Sequence, residues 1–154
     1  MDELTATIAN GFVSHVERFA QRVHELAEPL SGEQFWKRPY PYGNSFGHLV
    51  LHLTGNLNHY IGAHIGQTGY VRNRELEFTE PRLLPKAEVL GKFDEAVAVV
   101  VATIKAQTTA DWSKAYSVEG MSYTNNRFEI MFNCVAHLHH HIGQLIYLAK
   151  ELTR

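Results

Sequence analysis

The chain is poor in cysteine and has no long apolar run, and each shortage excludes a class of protein. Cys134 is the one cysteine among 154 residues, so no disulfide can form within the chain. That composition fits a reducing compartment such as the cytoplasm. No segment approaches the roughly 18 consecutive apolar residues that a membrane-spanning helix needs, and the acidic start at Asp2 and Glu3 argues against a secretory signal. We expect a cytoplasmic protein that does not enter membranes.

Positive charge is also scarce. The chain has 14 lysines and arginines against 16 aspartates and glutamates, which gives a net charge of -2. Because the basic residues form no cluster, the electrostatic footprint of a nucleic-acid-binding protein is missing. The length fits one domain that spans residues 1–154. We therefore expect a small-molecule substrate as the partner, rather than a nucleic acid or a membrane.

Histidine is the residue that is abundant. The chain has 10 histidines, of which four lie in residues 48–64 and four in residues 137–141. His137 and His141 are four residues apart, which on a helix is about one turn plus 40°, so their rings point the same way. Two imidazoles in this arrangement can bind one metal ion. The spacing predicts two metal ligands on one helix.

His52, on another predicted helix, is the candidate for a third ligand. The simpler interpretation is that each histidine is a core or half-exposed side chain with an ordinary hydrogen-bond partner. Burial of several imidazoles without a shared partner is costly, however, and this favours a metal. Three neutral imidazoles suit zinc, nickel, iron(II) or manganese, and the sequence does not choose among them. With three protein ligands, one coordination position stays open to water or substrate.

Five neighbouring residues have weaker assignments. Arg72 and Arg74 lie in a charge-dense connection, where they either bind an anionic substrate or are merely solvated. Tyr60 and Gln144 either bind a cofactor or pack against their neighbours. Cys134 is either a fourth metal ligand or a small buried side chain.

Apolar residues recur at spacings of three and four in four long segments, which predicts an all-α four-helix bundle. Asn44 is the predicted N-cap of the second helix, and Asn125 or Asn126 that of the fourth. Ser31 opens a short helical turn with the capping-box pattern. The predicted long helices span residues 2–27, 44–66, 86–107 and 126–152, with a long connection at 67–85 and an irregular segment at 111–124 that has an extended piece near 116–118.

Three motifs carry a resemblance to a known family. Residues 137–144 read His-x-x-x-His-Ile-Gly-Gln, residues 44–56 begin Asn-Ser and continue through His52 to Gly-Asn, and residues 72–78 read Arg-x-Arg-Glu-x-Glu-Phe. The first two resemble motifs of the DinB-like superfamily, also described as YfiT-like metal-dependent hydrolases. The third resembles one bacterial subgroup. Ile142 stands where the family often has arginine, a change that we expect to alter surface or substrate contacts rather than the metal.

This resemblance implies an up-up-down-down style of four-helix bundle with a long crossover between its second and third helices. It also implies a divalent metal on His52, His137 and His141, homodimers, and an activity as a hydrolase or as a transferase that uses a low-molecular-weight thiol. We therefore expect a metal-dependent enzyme. The alternative is a non-catalytic metal-binding module of the stress response. It is favoured because the two helix faces that carry His52 and the His137–His141 pair, which we call the histidine stripes, include no aspartate or glutamate that could act as a general base.

Overall fold

A computed structural model describes residues 2–154, which form helices and connecting segments. Within these residues no β-strand forms, and one isolated bridge joins Ala115 and Asn126. The segment 116–118, predicted to be extended, forms no strand and directly follows this bridge. The helices are α1 (Glu3–Ala27), α2 (Gly32–Trp36), α3 (Phe46–Leu57), a π-helix (Asn58–Ala63), α4 (Leu76–Thr79), α5 (Lys86–Lys105), α6 (Thr109–Trp112) and α7 (Arg127–Leu152).

The four long helices pack as a bundle, which confirms the predicted all-α architecture. Both α1 and α3 contact α5 and α7, so α1 and α3 lie across the bundle from each other. Apolar side chains from all four helices meet in the centre and supply the main driving force for folding. The largest fully buried side chains are Phe35, Phe46, Phe93, Leu30, Leu53, Leu57, Ile61, Ile104, Ile130, Met131, Leu138 and Leu145.

Side-chain caps fix where the helices begin. Asp2 accepts a hydrogen bond from the Thr5 backbone N–H at 3.0 Å, and the predicted capping box at Ser31 is present. Asn126 caps α7, as predicted. The prediction for α3 is wrong by one residue: Ser45, not Asn44, is the N-cap, and its Oγ accepts from the His48 backbone N–H at 3.1 Å.

The second long helix changes its winding halfway. The α-helical hydrogen bonding of α3 ends at Leu57, and residues 58–63 form the π-helix, so the predicted uniform α-helix to residue 66 is wrong. A π-turn carries one more residue per hydrogen-bonded ring than an α-turn. This places His59 and His64 side by side, with ring centroids 4.7 Å apart, whereas α-helical spacing would put them on opposite sides.

The connection at residues 67–85 returns along α3 instead of running free. It contains α4, which packs against α3, and its far end is tied to the Trp36 indole, which donates to the Leu84 carbonyl oxygen at 2.9 Å. Among the described helices, none combines the length and the apolar character that crossing a membrane requires.

Candidate metal centre

His137 and His141 lie one turn apart on α7, as predicted. Their Nε2 atoms are 3.1 Å from each other, and both side chains are half-buried at the side of α7 that faces α3. The α-helical rise and rotation bring residues four apart into register, so no special backbone feature is needed for this pair.

His52 reaches the same point from α3. Its side chain is buried, and its Nε2 lies 3.1 Å from Nε2 of His137. One ring nitrogen from each of the three histidines falls within 4.8 Å of the others. Among residues 2–154 this is the only group of three or more histidine, cysteine, aspartate or glutamate side chains so arranged. The structure thus brings together the three histidines predicted as ligands.

The hydrogen-bond partners of the rings indicate where their protons lie and which lone pairs point inward. A neutral imidazole carries one N–H, and its other nitrogen accepts. His52 donates from Nδ1 to Oε2 of Glu77 at 2.9 Å, and His141 donates from Nδ1 to Oε1 of Gln144 at 2.7 Å. The Nε2 atoms of both rings are then acceptors, and both face His137, which can donate from Nε2 to only one of them. The cluster has more acceptors than protons, an arrangement that favours a cation.

The surroundings of the two α7 histidines favour their neutral form. Burial, together with the neighbouring rings of His141 and His52, lowers the pKa of His137 to about 3. Burial also lowers the pKa of His141, although its hydrogen bond with Gln144 acts in the opposite direction. A histidine must be deprotonated to bind a metal, so both shifts favour metal binding at neutral pH.

Glu77 is the site residue that sequence reasoning missed. It lies on α4, outside both histidine stripes, yet its carboxylate is buried against His52. Arg72 holds the same carboxylate with two hydrogen bonds, from Nε at 2.6 Å and from Nη2 at 2.9 Å. Burial alone would raise the pKa of Glu77, but the hydrogen bonds from His52 and Arg72 and the guanidinium charge bring it below its ordinary value.

Gly55 makes room for this carboxylate. A methyl group added at its Cα would collide with the Glu77 side chain, so α3 and α4 can approach in this way only where α3 lacks a side chain. The sequence signal that could have revealed Glu77 is the charge alternation in residues 72–77, combined with a glycine one turn after His52.

The other predicted binding residues are divided between the centre and the surface. Arg72 is engaged with Glu77 and stacks over the buried Tyr60 ring, 5.5 Å from its centroid. Arg74 is exposed and stacks over Phe78 at 5.4 Å. Phe78 in turn packs on His52, with centroids 4.8 Å apart. Of the two arginines predicted to bind an anion, Arg74 is therefore the one that remains exposed beside the cluster.

Cys134 and two further histidines, His48 and His139, lie outside the histidine cluster. Cys134 is buried, and burial raises the pKa of its thiol to about 12. His48 is hydrogen-bonded through Nδ1 to Ser45 at 2.7 Å. His139 is exposed, as the helical projection predicts, and stacks on Phe19.

The donor set fits a divalent metal ion. Tetrahedral zinc with bonds of about 2.0–2.1 Å to nitrogen holds its ligand nitrogens about 3.4 Å apart, close to the 3.1 Å separations in the cluster. A carboxylate behind a ligating histidine is the usual means of fixing ring orientation, and Glu77 occupies that place behind His52.

A family model described as a protein of unknown function, DUF1572, matches residues 7–154. The chain belongs to the DUF1572 family. A search of curated proteins found no match. The family description assigns no activity, so the function of this DUF1572 chain has to be argued from the histidine cluster and its surroundings.

Proposed function

We propose that this DUF1572 protein binds a divalent metal ion, zinc or nickel before iron or manganese, through Nε2 of His52, His137 and His141. The observation that carries the proposal is the excess of lone pairs at the cluster, since the Nδ1 protons of His52 and His141 are already donated to Glu77 and Gln144. The Arg72 and Glu77 side chains form an ion pair, so Glu77 adds no net negative charge to the site. A divalent ion bound by three neutral imidazoles would therefore keep its positive charge and attract an anionic or polarisable fourth ligand.

We further propose that the chain is a single DinB-like domain spanning residues 1–154. The bundle of four long helices and the long connection at residues 67–85 support this proposal. So does the motif in residues 137–144, which places both α7 histidines and Gln144 at the cluster.

The proposed activity is that of a metal-dependent enzyme, either a hydrolase or a transferase that uses a low-molecular-weight thiol. A bound divalent ion supplies Lewis acidity, which makes water or a thiol nucleophilic at neutral pH. Glu77 and Arg72 orient His52, and Gln144 orients His141. Arg74, exposed above Phe78, is the group that we assign to an anionic substrate or cofactor.

Two substitutions on one helix test the metal site. His137→Ala removes a proposed ligand, whereas His139→Ala removes an exposed imidazole on the other side of α7. We expect metal content, measured on tag-free protein after zinc loading and desalting, to fall from about one equivalent to near zero in the first variant only. Equal metal loss in both variants, or none in either, would refute the proposed ligands.

The enzyme proposal has its own test. Protein loaded with zinc or nickel should turn over a member of a panel of thiol-conjugation, ester-hydrolysis and amide-hydrolysis reactions, and His137→Ala should abolish that turnover while His139→Ala retains it. A fully loaded protein without turnover across the panel would instead support the non-catalytic metal-binding module.

We also propose that the protein is a cytoplasmic homodimer. Phe128 and Phe132 on α7 are 40% and 60% exposed, and adjacent exposed aromatic side chains are typical of protein–protein interfaces. Sedimentation equilibrium of the wild-type chain and of Phe132→Ser measures this directly. A wild-type monomer at micromolar concentration would contradict the dimer.

A further inference from the structure

A groove lies beside the histidine cluster, and the proposed metal chemistry uses only Gln144 from its lining. It has a volume of about 570 Å³, within the range of pockets that bind small molecules. We call it the tyrosine groove, after the three tyrosines among the residues that line it. These residues are Tyr40, Tyr42, Gly43, Asn44, Leu49, His140, Gly143, Gln144, Tyr147 and Leu148.

Aromatic rings form the walls of the tyrosine groove. Tyr40 and Tyr42 stack on each other, with centroids 5.6 Å apart and planes 9° from parallel. The turn that presents them ends at Gly43, whose φ of +80° suits glycine. On the α7 side stands Tyr147. Tyr42 and Tyr147 are 74% and 71% exposed, a large exposure for two aromatic side chains that line one groove.

The α7 side of the groove has open space where a side chain would otherwise project. Gly143 lies on α7, and a methyl group built on its Cα would meet no atom within 4 Å. Glycine in a helix interior costs roughly 0.5–1 kcal/mol relative to alanine. Here close helix packing does not require it, and its effect is to leave the wall bare between His140 and Tyr147, its neighbours on the same face of α7.

The lining carries no lysine, arginine, aspartate or glutamate. Apart from the tyrosine hydroxyls, its polar side chains come from Asn44, His140 and Gln144, and Oε1 of Gln144 already accepts from His141. A charged ligand would lose its hydration without gaining an ionic partner. A neutral flat ring, by contrast, can stack against the tyrosines in the offset or edge-to-face geometry that aromatic rings prefer.

Gln144 connects the groove to the histidine cluster. It lines the groove and is also the hydrogen-bond partner of His141 at 2.7 Å. The adjacent His140 ring, also on the lining, is 5.1 Å from the His141 ring, centroid to centroid. A ligand held in the groove would therefore lie one side chain away from the proposed metal ligands.

We propose that the tyrosine groove binds a neutral aromatic ring belonging to the small molecule on which the histidine centre acts. The assignment of this ligand to the centre rests on the proposed function. The ligand class itself rests on the groove alone, namely on a lining without lysine, arginine, aspartate or glutamate, on its tyrosine walls and on its bare glycine.

Phenol, which is neutral at pH 7, is the probe for this proposal. Amide chemical shifts of the ¹⁵N-labelled protein are followed during titration with phenol, benzoate or methyl β-glucoside. We expect saturable shifts at Tyr42, Gly143 and Gln144 with phenol, and far weaker ones with the other two compounds. Preference for benzoate would indicate an anion site, preference for the glucoside would indicate a sugar site, and either result would overturn the proposal.

A matched pair of glycine substitutions locates the binding. Gly143→Leu fills the groove, whereas Gly11→Leu places the same side chain on α1, at another helical glycine with open space around it. We expect phenol affinity to fall by about tenfold or more in the first variant and to stay at the wild-type value in the second. Equal affinity in the two variants would mean that phenol binds elsewhere, and the proposal would fail.

The same titration in His137→Ala separates the two proposals. Phenol binding in the groove should survive this substitution, because His137 does not line it. A protein that binds zinc but shows no phenol shifts would overturn the groove proposal alone. A protein that binds phenol but no zinc would overturn the proposed function and leave the ligand class of the groove intact.

Discussion

The position of single protons determines what the histidine cluster can do. Glu77 fixes the proton of His52 on Nδ1, and Gln144 accepts from Nδ1 of His141. His137 differs from both, because its Nδ1 is buried and has no hydrogen-bond partner within the described chain. The orientation of the His137 ring therefore depends on packing and on the partner of its Nε2. The rings of His52 and His141 are instead oriented by the hydrogen bonds at their Nδ1 atoms.

Loss of the carboxylate behind His52 should weaken the metal site. Glu77→Gln keeps the shape of the side chain but removes the charge that pairs with Arg72 and orients His52. We expect zinc affinity, measured by competition with a chromophoric chelator, to fall by about 10–100-fold. Glu75→Gln, an exposed change in the same segment, is the control. Equal zinc affinity in the two variants would show that Glu77 does not support the centre.

The neutral state of His137 predicts how the metal-free protein responds to acid. Its pKa is about 3 in the folded chain against 6.5 ordinarily, so between these values the unfolded chain binds the extra proton. The free energy of unfolding that depends on the neutral His137 ring is at its full value above about pH 6.5. It declines as the pH falls toward 3, by at most about 1.4 kcal/mol per pH unit for one imidazole.

Urea unfolding of the metal-free protein at about pH 7 and about pH 5.5 measures this decline, in a range above the ordinary carboxyl pKa values. The variant His137→Leu removes the titrating ring and should show a shallower dependence on pH. A wild-type protein equally stable at both pH values would contradict the buried neutral imidazole.

At the scale of helices and connections, the sequence predicts the features that local patterns determine. Apolar spacing identified the four long helices, and the capping-box pattern of Ser31 with Gln34 identified α2, one of the three short α-helices of the described chain. The switch to the π-helix at Asn58 has no comparable signal in the local sequence, and the π-helix packs against the distant elements α5 and α7. Local sequence patterns therefore misplaced His59 relative to His64.

Within the site, the position of Glu77 is likewise a feature that local sequence patterns do not predict. The three histidines lie on regular α-helices, so their directions follow from residue number alone. The direction of Glu77 depends on the path of the connection at residues 67–85, on the contact of α4 with α3 and on the space at Gly55. None of these is set by nearby sequence, which is why the histidine cluster was predictable and the position of Glu77 was not.

Lys86, at the start of α5, joins two elements in a way that can be measured. Its ammonium donates to the carbonyl oxygens of Ala27, Glu28 and Leu30 at 3.0, 3.2 and 2.6 Å, where α1 ends. Lys86→Met keeps the length of the side chain but removes these bonds and should lower the free energy of unfolding by about 1–3 kcal/mol.

The control for Lys86 is Lys92→Met, which removes an exposed ion pair with Glu88 on the same helix. Such surface pairs contribute about 0–1 kcal/mol. Urea unfolding of both variants should therefore show the larger loss at Lys86. A loss at Lys86 no larger than that at Lys92 would mean that water satisfies the carbonyl oxygens at the end of α1 as well as Lys86 does.

Across the whole molecule, the bundle brings His52 to within 3.1 Å of a histidine 85 residues further along the chain. The unfolded chain scarcely forms such a site, so a metal that binds the folded protein should stabilise it. The apolar core does not depend on the histidines, however, since its largest buried side chains are phenylalanine, leucine, isoleucine and methionine from α2, α3, α5, α7 and the segments beside them.

Two results should therefore appear together. Zinc at about 100 times its dissociation constant adds about 2.7 kcal/mol and should raise the melting temperature by roughly 5–10 °C for a chain of this size, whereas His137→Ala should show no shift. The chelated protein should also keep its helical circular dichroism at room temperature. Loss of that signal on chelation would mean that the metal is part of the core, and an unshifted wild-type melting temperature would mean that the three histidines do not bind zinc.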